Sequence, residues 1–116
     1  MLAPGTTAFL FPGQGAQAVG MAADAYAESD AARSVFGEAD STLGFSLTKM
    51  ILEGPSEELV RSHNAQPAIL VASIAMLRAT EELLGNAMPS PICVAGHSVG
   101  EYSALVAAGA ITLAEG

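Results

Sequence analysis

A chain of 116 residues that is 51% hydrophobic and 14% charged can build one domain with a real core. No apolar run in it reaches the ~18 residues of a membrane span. Its net charge of −8 rests on twelve acidic and only four basic side chains, and the scatter of Arg33, Lys49, Arg61 and Arg78 argues against nucleic-acid binding. A single cysteine, Cys93, excludes an internal disulfide and a cysteine metal cluster. The N-terminus carries neither a basic n-region nor a signal-peptide pattern, so the expected location is cytoplasmic.

Thr7-Ala8-Phe9-Leu10-Phe11 is a short apolar run that stops at Pro12-Gly13 and reads as a buried first strand. Helical character is expected from about Gln17 through Tyr26. A second helix is predicted over residues 30–40, with Val35 and Phe36 inward and Gly44 beyond its end. Ser46 reads as the N-cap of a short helix over residues 47–52 that Gly54-Pro55 closes. Ser56 is expected to cap another brief helix, with Glu57 and Glu58 in its first turn, where the dipole favours carboxylates.

Pro67 fits the first turn of a long helix that runs to Leu84 and stops at Gly85. Residues 68–77 are apolar nearly all round, which predicts burial on several sides and places Met76 in the core. Residues 86–90 return the chain to a second buried strand over residues 91–95, where Cys93 reads as a small buried hydrophobe. A helix over residues 101–108 follows, with Tyr102 expected in the core and Glu101 structural. Strand, helices, strand, helix is the order of a parallel α/β sheet with flanking helices. Two strands do not make a stable parallel sheet alone, so the sheet is expected to be incomplete in this chain.

Between the second strand and the last helix, Gly96-His97-Ser98-Val99-Gly100 fits G-x-S-x-G, the nucleophile elbow. A strand that turns sharply into a helix crowds the corner. Lacking Cβ, Gly96 and Gly100 let the backbone pass while the Ser98 hydroxyl stands exposed at a helix N-terminus. There the N–H groups and the dipole favour the negative charge of acyl transfer. A Gly-Ser turn also arises by chance between a strand and a helix; the strand before and the helix after favour the catalytic reading of Ser98. His97 is adjacent in the chain, where neighbouring side chains diverge, and is expected to orient the elbow or to pack. His63 falls in a polar turn and is expected to be solvated.

Between the first strand and first helix, the stretch from Gly13 to Ala18 formally satisfies G-x-G-x-x-G/A. A dinucleotide site also needs an acidic residue about 20 positions on, ending a second strand. Residues 35–40 read as helix instead, and a Walker A loop is absent. In elbow enzymes one oxyanion donor is the N–H after the nucleophile, here that of Val99, and the other comes from a loop after a neighbouring strand. Gln14, flanked by Gly13 and Gly15, can supply that N–H; an ordinary tight turn is the alternative.

Taken together, F-L-F-P-G-Q-G-A-Q, the Gln66-Pro67-Ala68 segment before the long apolar helix, and G-H-S-V-G-E-Y-S-A-L resemble the malonyl-CoA:acyl carrier protein transacylases. These are the acyltransferases of fatty-acid and polyketide synthesis. The likeness runs the length of the chain, with Val99 where a leucine is commoner. It implies a hydrolase-like core, malonyl-CoA as donor, an acyl carrier protein as partner, and no cofactor beyond these substrates. It also implies a Ser98 acyl-enzyme, an oxyanion hole of the Gln14 and Val99 N–H groups, and support from Gln66, His97, Gly13, Gly15, Gly96 and Gly100.

The family's catalytic histidine and carboxylate-binding arginine lie downstream of residue 116. Residues 1–116 are therefore expected to be the N-terminal part of the large subdomain, without the small subdomain or the remaining strands. Rival expectations are a non-catalytic fragment, covered by its missing half or by self-association, and a serine esterase, against which the Gly-Gln-Gly loop argues. Nearness of the first motif to Met1 favours a free-standing enzyme. Carrier proteins are acidic, so a basic docking surface would have to come from residues outside this acidic segment.

Overall fold

The computed structural model describes residues 5–116; the reading of the extreme N-terminus falls partly on residues 1–4, outside that range. Strand β1 (Ala8–Phe11) lies parallel to β2 (Cys93–Gly96), with Ala8 opposite Cys93 and Phe11 opposite Gly96. Parallel pairing requires a crossover. Five helices supply it: α1 (Ala23–Glu28), α2 (Asp30–Leu43), α3 (Leu47–Glu53), α4 (Ser56–Leu59) and α5 (Ser62–Leu84). A 3-10 turn (Gly85–Ala87) leads towards β2, and α6 (Gly100–Ala107) follows it. None of the helices described is long and apolar enough to cross a membrane.

Local chemistry sets the helix ends. Ser29 Oγ accepts from the Ala32 N–H at 3.0 Å to open α2, and Gly44 closes it in the left-handed region at φ 79°. Ser46 Oγ accepts from the Lys49 N–H at 3.2 Å, capping α3 as its sequence predicts. One carboxylate, Asp40, accepts from the Thr48 N–H at 2.9 Å and so ties α2 to α3.

Apolar faces then meet. Ala32, Val35, Phe36 and Ala39 line one side of α2 at three- and four-residue spacing. They pack with Leu47 and Ile51 of α3, Leu59 of α4 and Ile74 of α5. Tyr26 stands edge-on to Phe36 with ring centroids 5.2 Å apart. Residues 68–75 of α5 are all buried, as their all-round apolarity predicts.

Several expectations are corrected. Helix α1 starts at Ala23 rather than near Gln17, because Gly20 and Ala22 take positive φ and the Gly20 N–H donates to the Ile51 carbonyl at 2.7 Å. Helix α2 continues to Leu43, past Asp40. Pro55, not Ser56, occupies the cap position of α4, with no side-chain capping bond. Helix α5 begins at Ser62, so Pro67 lies inside it rather than in its first turn; the sequence signal for Pro at a helix start led past the true one. The strands are buried on one face only: Phe11 is buried, whereas Leu10 is 77% exposed and Cys93 is exposed with it. The reason is that β1 and β2 have no further strands beside them and one face of the pair is uncovered. Met76 and Tyr102 are also exposed, at 45% and 50%.

Candidate active site

At the end of β2 the chain turns into α6 within three residues, and Ser98 takes the corner at φ 56°. The left-handed conformation is unfavourable for a residue with a Cβ and marks a turn that the surroundings impose. Those surroundings leave no room for side chains. A Cβ on Gly96 would lie 1.9 Å from the Gly100 carbonyl oxygen, and one on Gly100 would lie 2.3 Å from that of Phe11. Backbone bonds fix the corner: the Gly100 N–H donates to His97 O at 2.9 Å and the Glu101 N–H to Ser98 O at 3.0 Å. The His97 N–H donates to Phe11 O at 3.2 Å, which carries the sheet ladder to the elbow. Ser98 is exposed, whereas Val99 beside it is buried.

The loop after β1 closes on this corner. A Cβ on Gly13 would stand 2.3 Å from His97 O, 3.0 Å from His97 Nδ1 and 3.1 Å from Ser98 Cβ. Only glycine allows that approach. Gly15 has open space around it and instead uses its freedom to reach φ 109°. The Ala16 N–H donates to Gly13 O at 3.2 Å and the Gly15 N–H to Gln17 Oε1 at 2.7 Å, which folds the loop tip. Among the described residues, the backbone N–H groups of Gln14 and Val99 donate to no other group.

The Gln14 side chain turns towards α5. Its Nε2 donates to Ser62 Oγ at 2.9 Å, and its Oε1 accepts from Gln66 Nε2 at 3.3 Å. Gln66 and Val99 also line a cleft of about 420 Å³, together with Pro67, Leu70 and Tyr102. The structure thus brings Gly13, Gln14, Gly15, Gln66, Gly96, His97, Ser98, Val99 and Gly100 to one end of the sheet. His97 makes no side-chain hydrogen bond to Ser98 among the described residues, and His63 sits exposed in the first turn of α5.

Sequence reasoning missed two members of this cluster, Ser62 and Gln17. The signal for Ser62 was its position four residues before Gln66, which becomes one helical face once α5 is seen to start at residue 62.

The acyl transferase domain family matches residues 8–116. This chain belongs to that family. It is 51% identical over 105 residues to the malonyl CoA-acyl carrier protein transacylase of Bacillus subtilis (strain 168), covering 90% of this chain and 32% of the relative. A solved malonyl CoA-acyl carrier protein transacylase from Coxiella burnetii superposes with a TM-score of 0.89 at 42% identity, over 97% of this chain and 34% of that one. The structure of a type II PKS acyl-carrier protein in complex with its malonyl-transacylase gives a TM-score of 0.85 at 42% identity, over 93% and 34%. The chain spans about a third of the length of the curated relatives it matches. Its small parallel sheet with flanking helices is the α/β architecture of these structures, incomplete in this chain.

Proposed function

We propose that this chain carries the nucleophile and oxyanion loop of an enzyme that moves a malonyl group from malonyl-CoA to the phosphopantetheine thiol of an acyl carrier protein. Ser98 Oγ attacks the thioester carbonyl carbon and gives its proton to a base. The C–S bond breaks, CoA leaves as the thiol after taking the proton, and a malonyl ester remains on Ser98. The carrier's thiol then attacks that ester, its proton returns to Ser98 Oγ, and the malonyl thioester departs. The oxyanion of each tetrahedral intermediate accepts from the N–H groups of Gln14 and Val99. Gln66 and His97 steady the site, and Gly13, Gly15, Gly96 and Gly100 give the backbone its room.

The observation that carries this reading is the contact between the two motifs: a Cβ on Gly13 would fall 3.1 Å from Ser98 Cβ. The proton-accepting histidine and the arginine that pairs with the malonyl carboxylate come from outside residues 1–116, as does a basic surface for the acidic carrier. That the reaction takes no cofactor beyond its substrates, and that it runs in the cytoplasm, are both part of the proposal.

A second reading has its own support. With Leu10 77% and Ile92 65% exposed, residues 1–116 by themselves would be a non-catalytic segment until that apolar surface is covered by the rest of the domain or by self-association. Intact-protein mass spectrometry after incubation with malonyl-CoA separates the two. A malonyl adduct that vanishes in Ser98→Ala supports the transacylase. An unmodified chain whose size in solution depends on concentration supports the segment.

A further inference from the structure

We propose that Ser62 is a positioning residue for the loop that supplies the Gln14 N–H; the proposal rests on the acyl-transfer reading above. Glycine at positions 13 and 15 widens the backbone conformations open to this loop, whereas an oxyanion donor is useful only when its place is fixed before charge develops. Something must remove that freedom. Here the task falls to the carboxamide of Gln14, held at both ends from a single helix.

Ser62 is the first residue of α5, and Arg61 before it makes no side-chain capping bond. The Ser62 hydroxyl does not serve the helix end. Its oxygen accepts from Gln14 Nε2 at 2.9 Å, while Gln66, one turn further along, donates its own Nε2 to Gln14 Oε1 at 3.3 Å. Residues four apart share one helical face, so the two contacts meet the carboxamide from the same side. On the far side of the tip, Gln17 Oε1 accepts the Gly15 N–H at 2.7 Å. The neighbouring N–H is thereby occupied and that of Gln14 is not.

The helix behind this grip is anchored. Ala65, Ala68 and residues 69–75 of α5 are buried in the core, so Ser62 and Gln66 reach the loop from a helix that the core holds in place. Among the described residues Ser62 makes no hydrogen bond to Ser98; it acts through Gln14.

The test uses the chain completed by the rest of its domain, with Ser62→Ala and Ser62→Thr and two readouts. One is the rate of malonyl-ester formation on Ser98 across malonyl-CoA concentrations. The other is amide hydrogen exchange over residues 13–16. Losing one exposed neutral hydrogen bond predicts a rate about 2- to 10-fold lower in Ser62→Ala. The half-saturating malonyl-CoA concentration should be unchanged and loop exchange faster. Ser62→Thr keeps the hydroxyl and should match the parent in both. Equal rates and equal exchange in Ser62→Ala and the parent would overturn the proposal. So would a slower Ser62→Ala whose exchange rises throughout α5 as well, since that reports a destabilised helix. If the parent itself forms no malonyl ester, the acyl-transfer reading fails, and the exchange comparison alone decides whether Ser62 holds the loop.

Discussion

The helical layer and the sheet differ in how completely they hide their apolar groups. Phe36, Leu47, Ile51, Leu59 and Ile74, from four helices, are each 1% exposed or less. The register of the two strands puts Phe9, Phe11 and Val94 on one face, partly covered, and Ala8, Leu10, Cys93 and Ala95 on the other, all exposed. A parallel sheet is ordinarily covered on both faces. In this chain the helices therefore supply the stability, and the candidate nucleophile is mounted on the part that contributes least to it.

Substitutions should sharpen that division. Phe36→Ala removes a buried ring from the centre of the helical layer and should cost about 3–5 kcal/mol in chemical denaturation. Gly13→Ala forces a methyl into the His97 carbonyl and should cost about 1–3 kcal/mol while displacing the loop, so that ester formation on Ser98 falls far more than stability does. Ser98→Gly removes the nucleophile and also relieves the left-handed φ. It should abolish the adduct yet raise stability by about 0.5–1 kcal/mol; a destabilised variant would show that the corner is not strained. Leu10→Ser, on the bare face, should change stability by less than about 0.5 kcal/mol and should lower any self-association seen by ultracentrifugation.

The smallest effect concerns pH. Glu82 of α5 accepts from the Ala31 N–H and from Ser29 Oγ, each at 2.8 Å, at the start of α2. These bonds, the Ala31 N–H first, hold its carboxyl below the usual carboxylate range against the opposing effects of desolvation and Asp30. A lowered folded-state value contributes stability above the unfolded value, and that contribution is lost as pH falls through the folded one. The thermal midpoint should thus drop between about pH 5 and pH 3 slightly more in the parent than in Glu82→Gln. Identical profiles would remove Glu82 from the account.

Much of this was legible in the residues. Ser46 before an apolar turn and Gly44 after an amphipathic one each name a helix end through a local mechanism, and both act as read. The elbow was legible because its pattern spans only five positions and the Gly96 requirement lies within it, although the room that Gly100 needs is set by the Phe11 carbonyl of the other strand. What failed depended on distance. Nothing near Met76, Cys93 or Tyr102 tells that the surfaces they face are open here, since apolar residues specify burial without specifying the partner. Ser62 was passed over because its meaning lies in a loop and a helix brought together from far along the chain; Gln17, whose Oε1 accepts from the Gly15 N–H only two residues away, was read as a helix start instead. Pro67 misled because a proline favours a helix start and yet was placed within one.

The pairing of Ala8 with Cys93 has a consequence for the order of folding. Those strands stand at opposite ends of the chain, and closing so long a loop is entropically the most demanding step. Contacts of α2 with α3, and of α4 with α5, join near neighbours and can form early. We therefore expect the corner at Ser98 to be assembled last, after the helices between the strands have collapsed. In pulsed hydrogen exchange, amides of α2 and α5 should gain protection before the His97 N–H does. Simultaneous protection would instead mean that the strands meet during the first collapse.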